Sequence, residues 1–192
     1  MNQHKIIIIT APSGAGKTSI VHYLLQKYPR QLAFSVSATT RQPRENEING
    51  EDYYFLSEEI FRQKIQQNEF VEWEMVYEGK YYGTLHAELE RIWSIEKTPV
   101  LDIDVKGALH IQRHFPASSF SIFIQPPSVE ELRKRLESRG TETKASLEAR
   151  VNKAAYELSF RDHFNQVIVN NHLEYACAEA EKIVSALLQA GK

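Results

Sequence analysis

Cysteine is nearly missing from this chain of 192 residues: Cys177 stands alone. That excludes an intramolecular disulfide and suits a reducing compartment. Long apolar runs are missing as well. The longest near the N-terminus, residues 6–9, is too short for the apolar core of a signal peptide or for a membrane span. A cytoplasmic location without a membrane partner is therefore expected. Nor does one sign of charge prevail: 23 Lys and Arg face 25 Asp and Glu, a formal net charge of -2. No overall field would draw nucleic acid, so none is expected as a partner, and any anion site has to be built locally. There is no internal repeat and no low-complexity tract. What remains is 42% hydrophobic and 25% charged, ordinary for a folded chain and enough for one core domain with small inserted lobes.

Short apolar runs alternate with helical periodicity. Residues 5–10 (KIIIIT), 99–104, 120–125 and 167–170 read as buried strands. Residues 19–28, 107–114, 129–138, 146–160 and 173–189 carry helical spacing, and Pro29 stops the first of these. Strand alternating with helix predicts an α/β fold, a mostly parallel sheet flanked by helices. Residues 37–91 differ, being aromatic-rich, turn-rich and highly charged, and read as an inserted lobe. The polar stretch 139–145 (RGTETKA) between two helical segments reads as a flap.

The first strand runs into Ala11, Pro12, Ser13, Gly14, Ala15, Gly16, Lys17 and Thr18, and then a helix. Strand, glycine-rich turn and helix is the context of a phosphate-binding loop. Gly14 and Gly16 let backbone N–H groups turn toward a phosphate, and the helix start adds its positive dipole end. Lys17 supplies a point charge for the β- and γ-phosphates, and Thr18 a hydroxyl for Mg²⁺. Position 11 breaks the usual glycine pattern. Pro12 already holds residue 11 extended, so glycine's freedom would be wasted there.

Asp102 and Asp104 close the 99–104 strand, where open α/β sheets place ligands. Asp102 is the expected second contact to Mg²⁺. Asp104 to Gly107 also matches the D-x-x-G of GTPase switches, but no N-K-x-D motif accompanies it, since Asn152 and Lys153 continue into two alanines.

Further segments carry a wider likeness: FSVSATTRQPR from Phe34, NGEDYYF from Asn49, EFVEW from Glu69, YYGT from Tyr81, LDIDVKG from Leu101, PPSVEELRKRLESRGTET from Pro126 and VIVNN from Val167. In this order and spacing they resemble the guanylate kinases, a family of P-loop nucleoside-monophosphate kinases. The resemblance covers nearly the whole chain. It implies a P-loop core (1–36, 92–130 and 155–192), a GMP-binding lobe (37–91) and a lid region (131–154). It implies ATP and GMP as substrates, Mg²⁺ carried with ATP, and a monomer or homodimer. The implied GMP site is Ser37, Arg41, Arg44, Tyr53, Glu72, Tyr82, Thr84 and Asp104.

Chemistry supports each choice. Arg41 and Arg44 offer planar forks for a phosphate, to which Tyr53 and Tyr82 add hydroxyls. An ionised Glu72 is acceptor-only and matches the adjacent N1–H and 2-amino donors of guanine. Adenine would leave such a carboxylate unpaired. Arg135, Arg139 and Arg150 resemble the lid and hinge arginines that join Lys17 and Arg41 in catalysis, and Asn170 resembles an adenine contact. The departures are Ala11, Thr84 where serine is expected, and Lys106 beside Asp104. A silent interaction module of the same fold, another monophosphate kinase and a GTPase are the competing readings. The intact Gly14, Gly16, Lys17 and Thr18 speak against the first, the Glu72 and arginine context against the second. His110 and His114, Cys177, Trp73 and Trp93 are read as surface or packing residues.

Overall fold

Side chains alternate across a strand, so four consecutive isoleucines are all buried only where both faces of a sheet are covered. The structure, a computed structural model, describes residues 5–138 and 144–189. The isoleucines form β1 (Ile6–Thr10), buried throughout, at the centre of a five-stranded parallel sheet. β7 (Thr98–Asp102) and β8 (Ser119–Gln125) flank β1. β2 (Leu32–Phe34) lies beyond β7, and β9 (Gln166–Val169) beyond β8.

On one face, Ile7 and Ile9 pack with Ile20, Val21 and Leu24 of α1 (Lys17–Lys27) and with Ala176, Cys177, Ala180 and Val184 of α7 (Leu173–Gln189). On the other, Ile6 and Ile8 meet Leu89 of α3 (His86–Ser94) and Ala108 and Ile111 of α4 (Val105–His114). This is the α/β sheet that the periodicity predicts. Helix α4 starts earlier than expected, at Val105 rather than Gly107, because the Asp104 carboxylate caps it and accepts from the Gly107 N–H at 2.9 Å.

A second sheet has the order β4 (Tyr53–Phe55), β3 (Ser37–Thr39), β6 (Lys80–Leu85), β5 (Phe70–Tyr77). β3 and β4 are parallel and the other pairs antiparallel. Phe61 of α2 (Glu58–Gln66) packs with Ala38, Phe70 and Tyr81 behind it. Buried contacts join this sheet to the core. Val71 sits in the same cluster as Ile8 and Leu101. The buried Glu88 carboxylate accepts from the Val36 N–H at 2.8 Å and the Tyr54 hydroxyl at 2.9 Å.

Leu132 and Leu136 of α5 (Val129–Ser138) pack on Leu147, Val151 and Ala154 of α6 (Lys144–Leu158). Most of the stretch expected as a flap, including Arg139, lies outside the described residues. Among the described residues no helix is long and apolar enough to cross a membrane.

Candidate active site

β1 ends at Thr10, and the chain turns through residues 11–16 into α1. The Ala15 N–H donates to the Pro12 carbonyl at 3.1 Å, closing the turn. Gly14 and Gly16 sit at φ 92° and 95°, the left-handed region that a side chain disfavours. Gly16 leads into α1 with no side-chain cap, which leaves the first N–H groups of the helix for an anion. Asn170 clamps the turn from behind. Its Nδ2 donates to the Ala15 carbonyl at 2.7 Å, and a Cβ on Gly16 would lie 2.3 Å from that nitrogen.

Lys17 Nζ lies 2.5 Å from Asp102 Oδ1 and donates to the Ile103 carbonyl at 3.0 Å. Burial pulls the Lys17 pKa down, but the charge and hydrogen bond of Asp102 outweigh it, so it stands above the ordinary lysine value. The Thr18 hydroxyl donates to Asp102 Oδ2 at 3.1 Å. Two hard oxygen donors thus stand together beside the phosphate loop, a donor set that fits Mg²⁺.

The loop forms one side of a cavity of about 350 Å³. Ala11, Pro12, Ser13, Gly14, Gly16, Lys17 and Thr18 line that side. Ser37, Arg44, Tyr53, Glu72 and Tyr82 line the lobe side, and Asp102, Asp104 and Arg150 also reach the wall. Ala15, Arg41, Thr84, Arg135 and Asn170 do not line the cavity; Thr84 holds Glu72, Arg41 lies over Tyr53, and Asn170 holds Ala15 in the loop.

Glu72 and Thr84 are cross-strand partners on β5 and β6, and the Thr84 hydroxyl donates to Glu72 Oε1 at 2.7 Å. Glu72 is only 5% exposed. Burial pushes its carboxyl up to about 8, against the Thr84 hydrogen bond and with added repulsion from Asp104 and Glu74. The carboxyl therefore stands well above the ordinary carboxylate range. Its other oxygen lies over the first turn of α4, where a Cβ on Gly107 would be 2.7 Å away. Only glycine allows that approach. The match to a GTPase D-x-x-G is thus a helix cap followed by a glycine that makes room for Glu72.

The Arg41 fork is held by Glu47, Nη1 to Oε2 and Nη2 to Oε1, each at 2.8 Å. The guanidinium lies over the Tyr53 ring, 5.2 Å from its centroid. The Arg44 N–H also donates to Glu47, at 2.8 Å. The Arg41 hydrogen bonds hold the Glu47 carboxyl below the usual range. Burial, with Asp102 next, raises the Tyr53 phenol, so it stays an O–H donor. Sequence reasoning missed Glu47, although an acid three residues after Arg44 is a visible signal.

Arg150 Nη1 donates to the Ser13 hydroxyl at 2.9 Å. Arg135 instead donates to the Asn170 carbonyl at 3.1 Å and pairs with Glu131 at 3.3 Å. Arg139 lies outside the described residues. Among the wall residues that were not foreseen are Lys153 and the buried Glu157 of α6. Their helical spacing reads as a solvated face, and only packing turns it inward. Lys106 borders a smaller neighbouring hollow. His114 Nδ1 lies 3.0 Å from the His110 carbonyl on the surface of α4. Trp93 donates to the Lys5 carbonyl at 3.2 Å.

Comparisons with known proteins place this arrangement. Residues 3–187 match the family model described as guanylate kinase. The chain is 48% identical over 184 residues to a guanylate kinase of Bacteroides fragilis, covering 96% of this chain and 90% of that protein. It is 46% identical to one of Porphyromonas gingivalis, covering 96% and 98%. The crystal structure of guanylate kinase from Anaplasma phagocytophilum superposes with a TM-score of 0.76 at 30% identity, over 97% of this chain and 87% of that one.

Proposed function

The chain belongs to the guanylate kinase family, and we propose from that premise that it transfers the γ-phosphoryl group of ATP to GMP, giving ADP and GDP. One observation carries the reading. A single cavity joins a phosphate loop bearing Lys17 and Thr18 to a wall bearing a buried carboxylate, Glu72, and the fork of Arg44. Such a cavity takes a triphosphate and a guanine nucleotide at once.

Ionised Glu72 accepts guanine N1–H and the 2-amino group, and Thr84 fixes the rotamer in which it does so. Ser37 and Asp104 take the remaining polar edge of the base. Arg44, Tyr53 and Tyr82 hold the GMP phosphate, with Arg41 turning to it from Glu47. Lys17 would leave Asp102 for the β- and γ-phosphates, and the freed Asp102 oxygen with Thr18 would hold Mg²⁺. When bound, the metal neutralises charge shared between those phosphates.

The acceptor oxygen of GMP is already anionic, so no general base is required, and catalysis is alignment plus charge neutralisation. Arg150, already on Ser13, stands where the transferring phosphoryl develops charge, and Arg135 and Arg139 complete the cationic side from the lid region. Asn170 acts by clamping the loop. We place the enzyme in the cytoplasm, as a monomer or homodimer. The test is ADP release from Mg·ATP with GMP, dGMP, AMP, CMP, UMP or dTMP supplied singly. Rapid release with GMP, alone or with dGMP, is expected. Fast turnover with another monophosphate would remove Glu72 from its role, and no stimulation by any of them would favour a binding module.

A further inference from the structure

Residues 150, 153 and 157 of α6 stand at i, i+3 and i+7, one face of a helix, and all three line the cavity. The adjoining face, Leu147, Val151 and Ala154, is fastened to Leu132 and Leu136 of α5. Leu136 in turn packs over the phosphate loop, where a Cβ on Gly14 would meet it at 2.9 Å. Arg150 reaches that loop through Ser13. One turn further on, Lys153 Nζ lies 3.8 Å from Asp104 Oδ2 and 3.4 Å from Glu157 Oε1. The other Asp104 oxygen, Oδ1, is committed to the Gly107 N–H.

One rigid helix face thus touches the phosphate loop at one end and the base-reading wall at the other. The span from residue 150 to 157 is about 10 Å at the rise of an α-helix. We infer that Lys153 and Glu157 are positioning residues that couple the two substrate sites through α6, so that filling one tightens the other. The inference rests on the reading of the cavity as a joint ATP and GMP site.

The physical case is one of charge. Glu72, Glu74, Asp104 and Glu157 all line one space. A guanine base brings neutral N–H donors and no cation, so it leaves the charge of Asp104 and Glu157 to be balanced. The Lys153 ammonium does this only while α6 lies where it does, and that placement also sets Arg150 against Ser13. Burial of Glu157, 5% exposed, raises the cost of leaving it without the ammonium. The 3.8 Å separation from Asp104 is loose and tightens without rearrangement of the helix.

Coupling between sites is reciprocal and typically falls at about fivefold or more. Calorimetry on the full chain would measure the Kd of GMP with and without a saturating non-hydrolysable ATP analogue and Mg²⁺. The wild type should bind GMP at least about fivefold more tightly with the analogue present. Lys153→Met should still bind GMP but bring that ratio to within about twofold of unity, Glu157→Gln should lower it, and Lys153→Arg should restore it. A merely structural role would shift thermal stability, or both affinities together, and leave the ratio intact. A Lys153→Met protein with the wild-type ratio, or a wild-type ratio of one, overturns the inference. A wild type that binds no GMP at all overturns the functional reading itself and is recognised as such before any variant is compared.

Discussion

The two sides of the cavity treat charge in opposite ways. On the phosphate-loop side Lys17 meets Asp102 at 2.5 Å, Thr18 bonds the same carboxylate, and Ala11, Pro12, Ser13, Gly14 and Gly16 make up much of the rest. On the lobe side Glu72 is buried against a hydroxyl, with Asp104 and Glu74 adding like charge. The first side is made for a ligand whose charge never varies, so neutral N–H groups and one lysine suffice. The second has to choose among bases that differ only in the order of donors and acceptors. A carboxylate kept short of partners does this, because the wrong base leaves it unpaired.

That contrast breaks first at Lys17. Lys17→Met should lower turnover with GMP by at least about a hundredfold, since it removes charge aimed at the transferring group. Its GMP affinity and thermal midpoint should change little, and normal turnover would show that the loop side works through backbone alone. Next comes Glu72→Gln, which should lower kcat/KM for GMP by roughly tenfold to a hundredfold, as for a lost hydrogen bond to a charged group. Binding of an ATP analogue should move by less than about twofold, within ordinary surface-mutation effects. Equal loss of both would mean that the two sides are not chemically separate.

Glu47→Ala sharpens the comparison within the lobe. With its fork released from Glu47, Arg41 should raise KM for GMP by about three- to tenfold, read from initial rates. An unchanged KM would make Glu47 a surface partner only.

The smallest effect is on stability. The Glu72 carboxyl has an ordinary value of 4.5 and is pushed up to about 8 in the folded state. Between those values the native protein holds more protons than the unfolded chain, so this contribution is fully present below 4.5 and lost as pH rises toward 8. Glu72→Gln lacks the titration. Its melting temperature relative to the wild type should therefore climb by a few degrees between about pH 5 and pH 8. Parallel melting curves would mean that Glu72 is ionised in the free protein, and the contrast in charge handling would disappear.

The legibility of the molecule divides along the same line. The strand of β1, the turn at Gly14 and Gly16, and the helix from Lys17 are contiguous, and each follows from local backbone preference and burial of an apolar run. The inserted lobe was visible as a change of composition, but its mixed four-stranded sheet was not, because strands of three residues carry too few side chains to show alternation. Glu47, Lys153 and Glu157 stayed hidden among charged neighbours, since a charged side chain looks the same in sequence whether packing turns it to solvent or to a cavity. Asn170 was found as a residue and not by its contact, which reaches across 155 positions to Ala15.

The sequence by itself determined the parallel α/β core and a phosphate loop competent to meet an anion, because both are written in contiguous residues whose backbone conformations are locally dictated. Tertiary structure alone decided that Glu72 faces inward beside Thr84, that Gly107 leaves room for it, and that Lys153 stands beside Asp104. A slip of one residue between β5 and β6 would turn Glu72 out of the cavity and bring a neighbour in. That register is held by Val71, Phe70 and Tyr81 in two separate hydrophobic clusters, and no local pattern in the chain reports how those clusters meet.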